Sequence, residues 1–352
     1  MCTLRVFSEP RKSHFRLLTG LRVHVIRFAM TACVVEDGLD DASAPYVHLV
    51  YPDIRLSHQR LIHPNVFQEA VFEGMAWRYT NDKMFDLVPF HLLRLRTPMP
   101  DDHQLHLDAS SHIYSFSGRI VSKSVTSLIE DYEYAFDGVL AIKLMRQGMN
   151  WSVKRCQYLR PDGMEMSDTE ILDVWERRKT AASLEGTYLH WLCEAFLNSA
   201  IISQPFPADF RIFLDVFAEL RRRKIEPLRT ELAVYSRELD VAGQIDFLGK
   251  NEVDKNFTIV DWKRCRALKT DNNFQSMRTI LGHLPSCNFS KFCLQLHLYK
   301  YILQTEYSMQ ITSLYVALLH PDYIGERLVE VPAGSTIAST LIEERKLCTL
   351  LS

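Results

Sequence analysis

Residues 240–265 read DVAGQIDFLGKNEVDKNFTIVDWKRC, and the fold turns on this stretch. Two runs rich in β-branched and aromatic residues flank the polar turn KNEVDKN, the pattern of two antiparallel strands joined as a hairpin. A third strand-like run, RTELAVYSREL (229–239), precedes them. Beyond the hairpin, FSKFCLQLHLYKYILQT (289–305) reads as a helix and SLYVALL (313–319) as a buried strand. Upstream, Pro205 and Pro207 open a helix, PADFRIFLDVFAELRRRK, that carries an apolar stripe: Phe210, Phe213, Leu214, Phe217, Leu220. A longer helix is expected from Asp168 to about Asn198, with Ser167 or Asp168 as cap and a break into two at Gly186. Before it, SHIYSFSGRIVSKSVTSLI shows strand alternation, and Ser124 and Thr126 are placed to cap a helix running on through residues 131–148. The order is helices, a strand meander, a helix and a strand. That is an α/β (α+β) core with a central mixed β-sheet flanked by helices.

Composition limits what such a core can be. The chain has 352 residues, 47% hydrophobic and 24% charged, which excludes a disordered or fibrous protein and allows one large domain or two. No run approaches the roughly 18 apolar residues of a membrane span, so no membrane association is expected. Forty-one Lys and Arg face 43 Asp and Glu, so a nucleic-acid site would be a local basic patch. The eight cysteines form no C-x-x-C pair and fit reduced, buried thiols of an intracellular protein. Residues 1–35 hold Arg5, Arg11, Lys12, Arg16, Arg22 and Arg27 against Glu9 alone. That pattern resembles a mitochondrial transit peptide; a basic first element of the fold is the alternative, with nuclear or cytoplasmic location. Residues 36–110 are short apolar runs broken by Pro and His, with Pro98–Asp102 reading as a linker, and carry no functional signal.

The hairpin carries the chemistry. Asp261 and Lys263 are two apart and share a strand face, and an adjacent antiparallel strand can bring Asp246 beside Asp261. Two carboxylates that close repel unless a positive charge lies between them, and a hard divalent cation with oxygen ligands suits the pair. A surface ion pair between Asp261 and Lys263 is the other reading, but Asp261 follows Ile259 and Val260, at the edge of a buried strand. His190 and Glu194 are i, i+4 on one helix face and can address one site. Glu231, on the strand before the hairpin, ranks below them. Gln295 and Tyr299 are likewise i, i+4 on the following helix. Arg221–Lys224 with Arg229 form one basic run, equally readable as a helix C-terminus; Lys263, Arg264, Arg266 and Lys269 form another.

Taken in order, four motifs appear: Gly186–Thr187 with His190 and Glu194; Gly243, Ile245 and Asp246; Val260–Asp261–Trp262–Lys263; and Gln295 with Tyr299. This series resembles the PD-(D/E)XK nucleases, in the RecB-like branch that includes the mitochondrial genome maintenance exonuclease. Ser124–Val125–Thr126, Trp175–Glu176, Asn288 and His320–Pro321 extend the likeness towards homologues of giant DNA viruses and protists. The match covers roughly residues 111–325, leaving 326–352 as a C-terminal extension.

The resemblance implies a restriction-endonuclease-like core and a Mg²⁺-dependent deoxyribonuclease, with Mn²⁺ able to substitute. It implies exonuclease or flap-type action on single-stranded DNA ends in replication, repair or recombination. Asp246 and Asp261 would bind the metal, joined by His190 and the Trp262 backbone carbonyl, with Glu194 acting through water. Lys263 would be the catalytic lysine. Gln295, Tyr299, Arg264, Arg266 and Lys269 would hold the nucleic acid. Several relatives carry an iron–sulfur cluster on a late group of cysteines; only Cys348 follows Tyr299 here, so none is expected. The alternative function is a catalytically silent module that binds nucleic acid or a replication partner.

Overall fold

The predicted hairpin lies at the centre of the sheet. The computed structural model describes residues 92–108, 111–198 and 206–351, besides isolated strand pieces at 15–16, 22–23, 47–49, 61–62 and 200–201. The basic stretch 1–35 and the expected runs of 36–91 therefore lie outside the described residues. In chain order the elements are α1 (Leu92–Arg96), β1 (Leu105–Asp108), β2 (Ile113–Phe116), β3 (Arg119–Ile120) and β4 (Lys123–Ser124). Next come α2 (Val125–Glu130), α3 (Gly138–Gln147), α4 (Trp151–Lys154), α5 (Asp168–Leu197) and α6 (Ala208–Arg222). The sheet core follows: β5 (Ile225–Ser236), β6 (Val241–Asn251), β7 (Phe257–Lys263), α7 (Asn288–Glu306), β8 (Ile311–Leu318), β9 (Leu328–Val331) and α8 (Ser339–Leu351).

The main sheet has the order β5-β6-β7-β8-β9, and β4 adds in parallel to the start of β6. The pairs β5–β6, β6–β7 and β8–β9 are antiparallel, whereas β7–β8 is parallel, so the sheet is mixed. Helices flank both faces. Alternation along β7 sends Val260 and Trp262 into one core, with Phe247 and the Phe210, Phe213 and Phe217 stripe of α6. Ile259 faces the opposite core, with Leu294, Leu298 and Ile302 of α7. A smaller three-stranded meander, β1–β2–β3, packs Tyr114 against Tyr235 and Ala242. No helix among the described residues is long and apolar enough to cross a membrane.

Three expectations are corrected. The helix begun at Ser124 does not run to residue 148. Ser124 closes a capping box with Ser127 rather than Thr126, α2 stops at Glu130, and Asp137 starts α3 by accepting from the Leu140 N–H at 2.9 Å. A short acidic side chain that bonds nearby backbone favours a new cap over helix continuation. Gly186 does not break α5, which runs unbroken for 30 residues from a Ser167–Glu170 capping box. Both of its ends are held, the first third in a small core around Ile142, Tyr158 and Ile171, the last third in the core of α6. Packing at the ends outweighs the ~1 kcal/mol cost of one glycine.

The stretch Pro98–Asp102 is no free linker. Arg229, almost wholly buried, donates to both Asp102 carboxylate oxygens at 2.9 and 2.7 Å. Asp101 takes Arg237 at 2.7 Å and the Tyr307 hydroxyl at 2.8 Å. These bonds fasten the chain ahead of the meander to the edge strand β5. Beyond residue 325, β9 completes the other edge, and α8 packs Leu341 and Ile342 into the α7 core.

Candidate metal centre and catalytic lysine

The site sits where β6 and β7 part. Their last ladder pair sets Phe247 opposite Val260. One step further, Asp246 and Asp261 stand opposite each other, and Asp246 Oδ2 accepts the Trp262 N–H at 2.8 Å in place of a backbone carbonyl. One oxygen of Asp246 is thus fixed by backbone, which leaves the other to point outward. Asp246 Oδ1 and Glu231 Oε1 each lie 3.6 Å from His190 Nδ1. The His190 Nε2 contacts the Trp262 carbonyl at 3.1 Å, which sets its proton on Nε2 and leaves the Nδ1 lone pair facing both carboxylates. That lone pair needs a proton or a cation.

Ligand atoms of His190, Glu231 and Asp246 all lie within 4.8 Å of one another, the one such group among the described residues. Asp261, read from sequence as a second metal carboxylate, meets Lys263 Nζ at 2.7 Å. The ammonium also lies 5.1 Å from the centre of the Phe292 ring, so a carboxylate and an aromatic face both position it. Glu194 is one turn beyond His190, next to Glu231. The Trp262 carbonyl is engaged by His190.

Electrostatics follow from this crowding. Burial disfavours the charged imidazole of His190, but Asp246 and Glu231 hold its pKa up at about 9. Burial raises Glu194 well above the usual carboxylate range, and Glu231 adds to it. Burial also raises Glu231, with its bond to His190 working the other way. Asp261 goes up to about 6 through burial, opposed by Lys263. Lys263 stays charged because Asp261 and Asp246 outweigh its desolvation. A pocket with this much negative charge and one resident lysine suits a divalent cation. The donor set of two carboxylates and an imidazole fits Mg²⁺ acceptably and Mn²⁺ rather better.

Glu231 carries a further mark: it sits at φ +45° in mid-strand, the left-handed region that costs a non-glycine residue of order 1–3 kcal/mol. In the sequence its place on the strand before the hairpin marked it only as a weaker candidate for the same site. Tyr114 gave no such signal, yet its phenol is held above the usual range by burial and by Glu231 and Asp246. Gln295 donates to the Tyr299 hydroxyl at 3.2 Å. The Tyr299 ring lies against β6 at Gly243, where a Cβ would meet it at 2.6 Å, so the glycine of the G-x-I-D motif clears room for the tyrosine.

The basic runs divide. Arg264 is committed to Glu185 at 2.5 Å and Asp209 at 2.9 Å, while Arg266 and Lys269 are exposed. In the run 221–224, Arg221 pairs with Glu226, Arg222 with Glu219, and Arg223 with Glu219 and the Tyr315 hydroxyl. Those arginines behave as a helix terminus.

No family model matches the chain, and no curated protein matches it. Among solved structures it is similar to a "Putative exonuclease" from Eubacterium rectale, at TM-score 0.25 and 8% identity over 64% of this chain and 70% of that one. It is also similar to SSO0001, at TM-score 0.21 and 15% identity over 40% of this chain and 58% of that one. Superpositions this loose leave the function to the residues themselves.

Proposed function

We propose that the protein is a metal-dependent nuclease that hydrolyses phosphodiester bonds of DNA, acting on single-stranded or free ends. The observation that carries this reading is the meeting of His190, Glu231 and Asp246 within 4.8 Å, beside the Asp261–Lys263 pair. His190, Glu231 and Asp246 would hold Mg²⁺ or Mn²⁺, and such an ion supplies Lewis acidity and a bound water of lowered pKa. Asp261 and the Phe292 ring keep the Lys263 ammonium aimed at the site, where it stabilises charge that builds on the phosphoryl oxygens. Gln295, half-buried on α7 and bonded to the buried Tyr299 hydroxyl, is the member of that pair suited to contact with the strand. Exposed Arg266 and Lys269 extend it with cations that bind phosphate without reading sequence.

The test is cleavage of end-labelled single-stranded and duplex DNA with Mg²⁺ or Mn²⁺. EDTA should abolish cutting. Lys263→Met and Asp246→Asn should each lower the rate by about 10²–10⁴-fold while the protein stays folded. A folded wild-type protein that binds DNA but never cuts it would overturn the reading in favour of a silent binding module.

A further inference from the structure

The dipeptide His320–Pro321, at the end of β8, takes no part in the site described so far. It lies beside that site all the same: the Leu319 N–H donates to the Lys263 carbonyl at 2.9 Å, so His320 follows directly on a residue bonded to the catalytic strand. The His320 side chain is nine-tenths buried. Its backbone is clamped by Arg327, whose Nη1 donates to the carbonyls of Leu318 at 3.1 Å and His320 at 2.6 Å.

Its two ring nitrogens are engaged in a way that does not balance. Asp322 N–H points at Nδ1 from 3.0 Å, and Arg266 Nε points at Nε2 from 3.4 Å. Both neighbours are donors, yet a neutral imidazole has one N–H and one lone pair. The shorter, better-placed backbone bond claims the lone pair on Nδ1, so the proton lies on Nε2. His320 Nε2–H and Arg266 Nε–H then face each other, two donors with no acceptor between them. Burial and the nearby Arg264 guanidinium hold the ring below its ordinary pKa, which keeps it neutral. The remaining charged neighbours are Glu185 and Asp322. The Asp322 carboxylate is 3.6 Å from Arg266 Nε and 4.0 Å from His320 Nδ1, and both it and Arg266 are largely exposed, so that pair is weak and exchangeable.

We propose that His320 Nε2–H and the Arg266 guanidinium form a binding subsite for a backbone phosphate of the DNA strand, away from the bond that is cut. A non-bridging phosphate oxygen supplies the acceptor that His320 Nε2–H lacks and takes over Arg266 from the exposed Asp322 carboxylate, and the buried imidazole places it where an exposed arginine alone would not. The inference rests on the nuclease reading above.

Binding of a short single-stranded oligonucleotide, measured by fluorescence anisotropy in EDTA, tests it. The probe is remade with one uncharged methylphosphonate stepped along its backbone. Wild type should lose about tenfold in affinity at one position beyond the general loss, the worth of one charge-assisted hydrogen bond. Arg266→Ala and His320→Leu should lose a similar factor and become indifferent to that position, and in Arg266→Ala the log–log salt slope should also be smaller by about 0.7, the neutral His320 leaving it unchanged. His320→Gln, which keeps a donor, should restore most of the discrimination; it and Arg266→Ala decide the matter if His320→Leu does not fold. Variants that keep the wild-type penalty at that position would overturn the subsite while leaving the nuclease intact. Failure of wild type to bind or cut any strand would remove both. Displacement of the strand by micromolar inorganic phosphate would make the pocket one for the free anion and overturn the strand assignment.

Discussion

The sheet body and the helical unit spanning Tyr134 to Trp175 solve the same problem with different means. In the body, Trp262, Phe213 and Phe247 are buried on one face of the sheet and Leu294, Leu298 and Ile302 on the other, so every central strand is covered twice. In the helical unit only Ile142, Tyr158 and Ile171 are buried, while Phe136, Val139, Leu144, Met149 and Val153 are exposed. Between the two, residues 176–183 of α5 are exposed on all sides. The chain is fastened on either side of the unit, by Glu133 just before it to Lys291 and, beyond the exposed segment, by Glu185 to Arg264, each at 2.5 Å. The Arg229–Asp102 pair of the body is buried, whereas the Arg160–Glu170 pair of the unit lies in solvent. Identical interactions therefore have different worth in the two regions.

The largest expected effect tests that difference directly. Asp102→Ala would leave the buried Arg229 guanidinium without its carboxylate and should cost about 3–5 kcal/mol. Glu170→Ala removes a solvent-exposed pair of similar geometry, together with the capping contact to Ser167, and should cost far less than the buried change. Urea denaturation of the two variants checks both; equal losses would abolish the distinction between the regions.

A second measurement concerns pH. His190 has a folded pKa of about 9 against an ordinary 6.5, so the fold favours its charged form. Its contribution is complete below pH 6.5 and is lost as pH rises through 9. Asp261, raised to about 6 from 3.8, has the same sign and loses its contribution between pH 4 and 6. Metal-free protein should therefore lose stability of the order of 2 kcal/mol between pH 6.5 and 9. Thermal melts in EDTA should show that slope in wild type and a shallower one in His190→Asn, where Glu194 and Glu231, both raised by burial, keep a share of the same sign. In the helical unit Glu170, depressed to about 2 by Arg160, titrates only in acid and adds nothing in this window.

Legibility from sequence follows the same division. The strands β5 to β8 and helix α7 are readable to within a few residues because burial on both faces leaves continuous apolar runs. The parting of β6 and β7 was readable through Asp246 and Asp261, since a carboxylate at the end of an apolar strand has few other uses. What the sequence hides is contact between distant segments. Nothing local distinguishes Asp102 as the partner of Arg229, and nothing local separates Glu231 from an ordinary strand acid, because its approach to His190 depends on how α5 crosses β5. The break between α2 and α3 was hidden for a different reason: residues 131–137 contain no Gly or Pro, and the cap at Asp137 wins by a small margin.

Two glycines give a third comparison, with smaller effects of opposite sign. Gly243→Ala drives a methyl into the Tyr299 ring and should cost about 1–3 kcal/mol and disturb cleavage. A Cβ at Gly186, half-buried in α5 just past the exposed segment, meets nothing within 4 Å. Gly186→Ala should raise stability by about 0.5–1 kcal/mol. If cleavage falls while stability rises, the open space at Gly186 is where the substrate backbone comes close.

The smallest expected effects lie on the apolar surface of the helical unit. Phe136, 76% exposed, and Leu144, 58% exposed, border its small core without entering it. Phe136→Ser and Leu144→Ser should each change stability by no more than about 0.5 kcal/mol, against several for Phe213→Ala in the body. A loss above 2 kcal/mol at either position would mean that this surface is covered by other parts of the chain or by a partner. The same substitutions leave Lys263 and its neighbours untouched, so any fall in cleavage would have to come through the substrate. Stability unchanged with cleavage reduced would identify these exposed side chains as contacts for nucleic-acid bases, whose faces stack on apolar and aromatic groups irrespective of sequence.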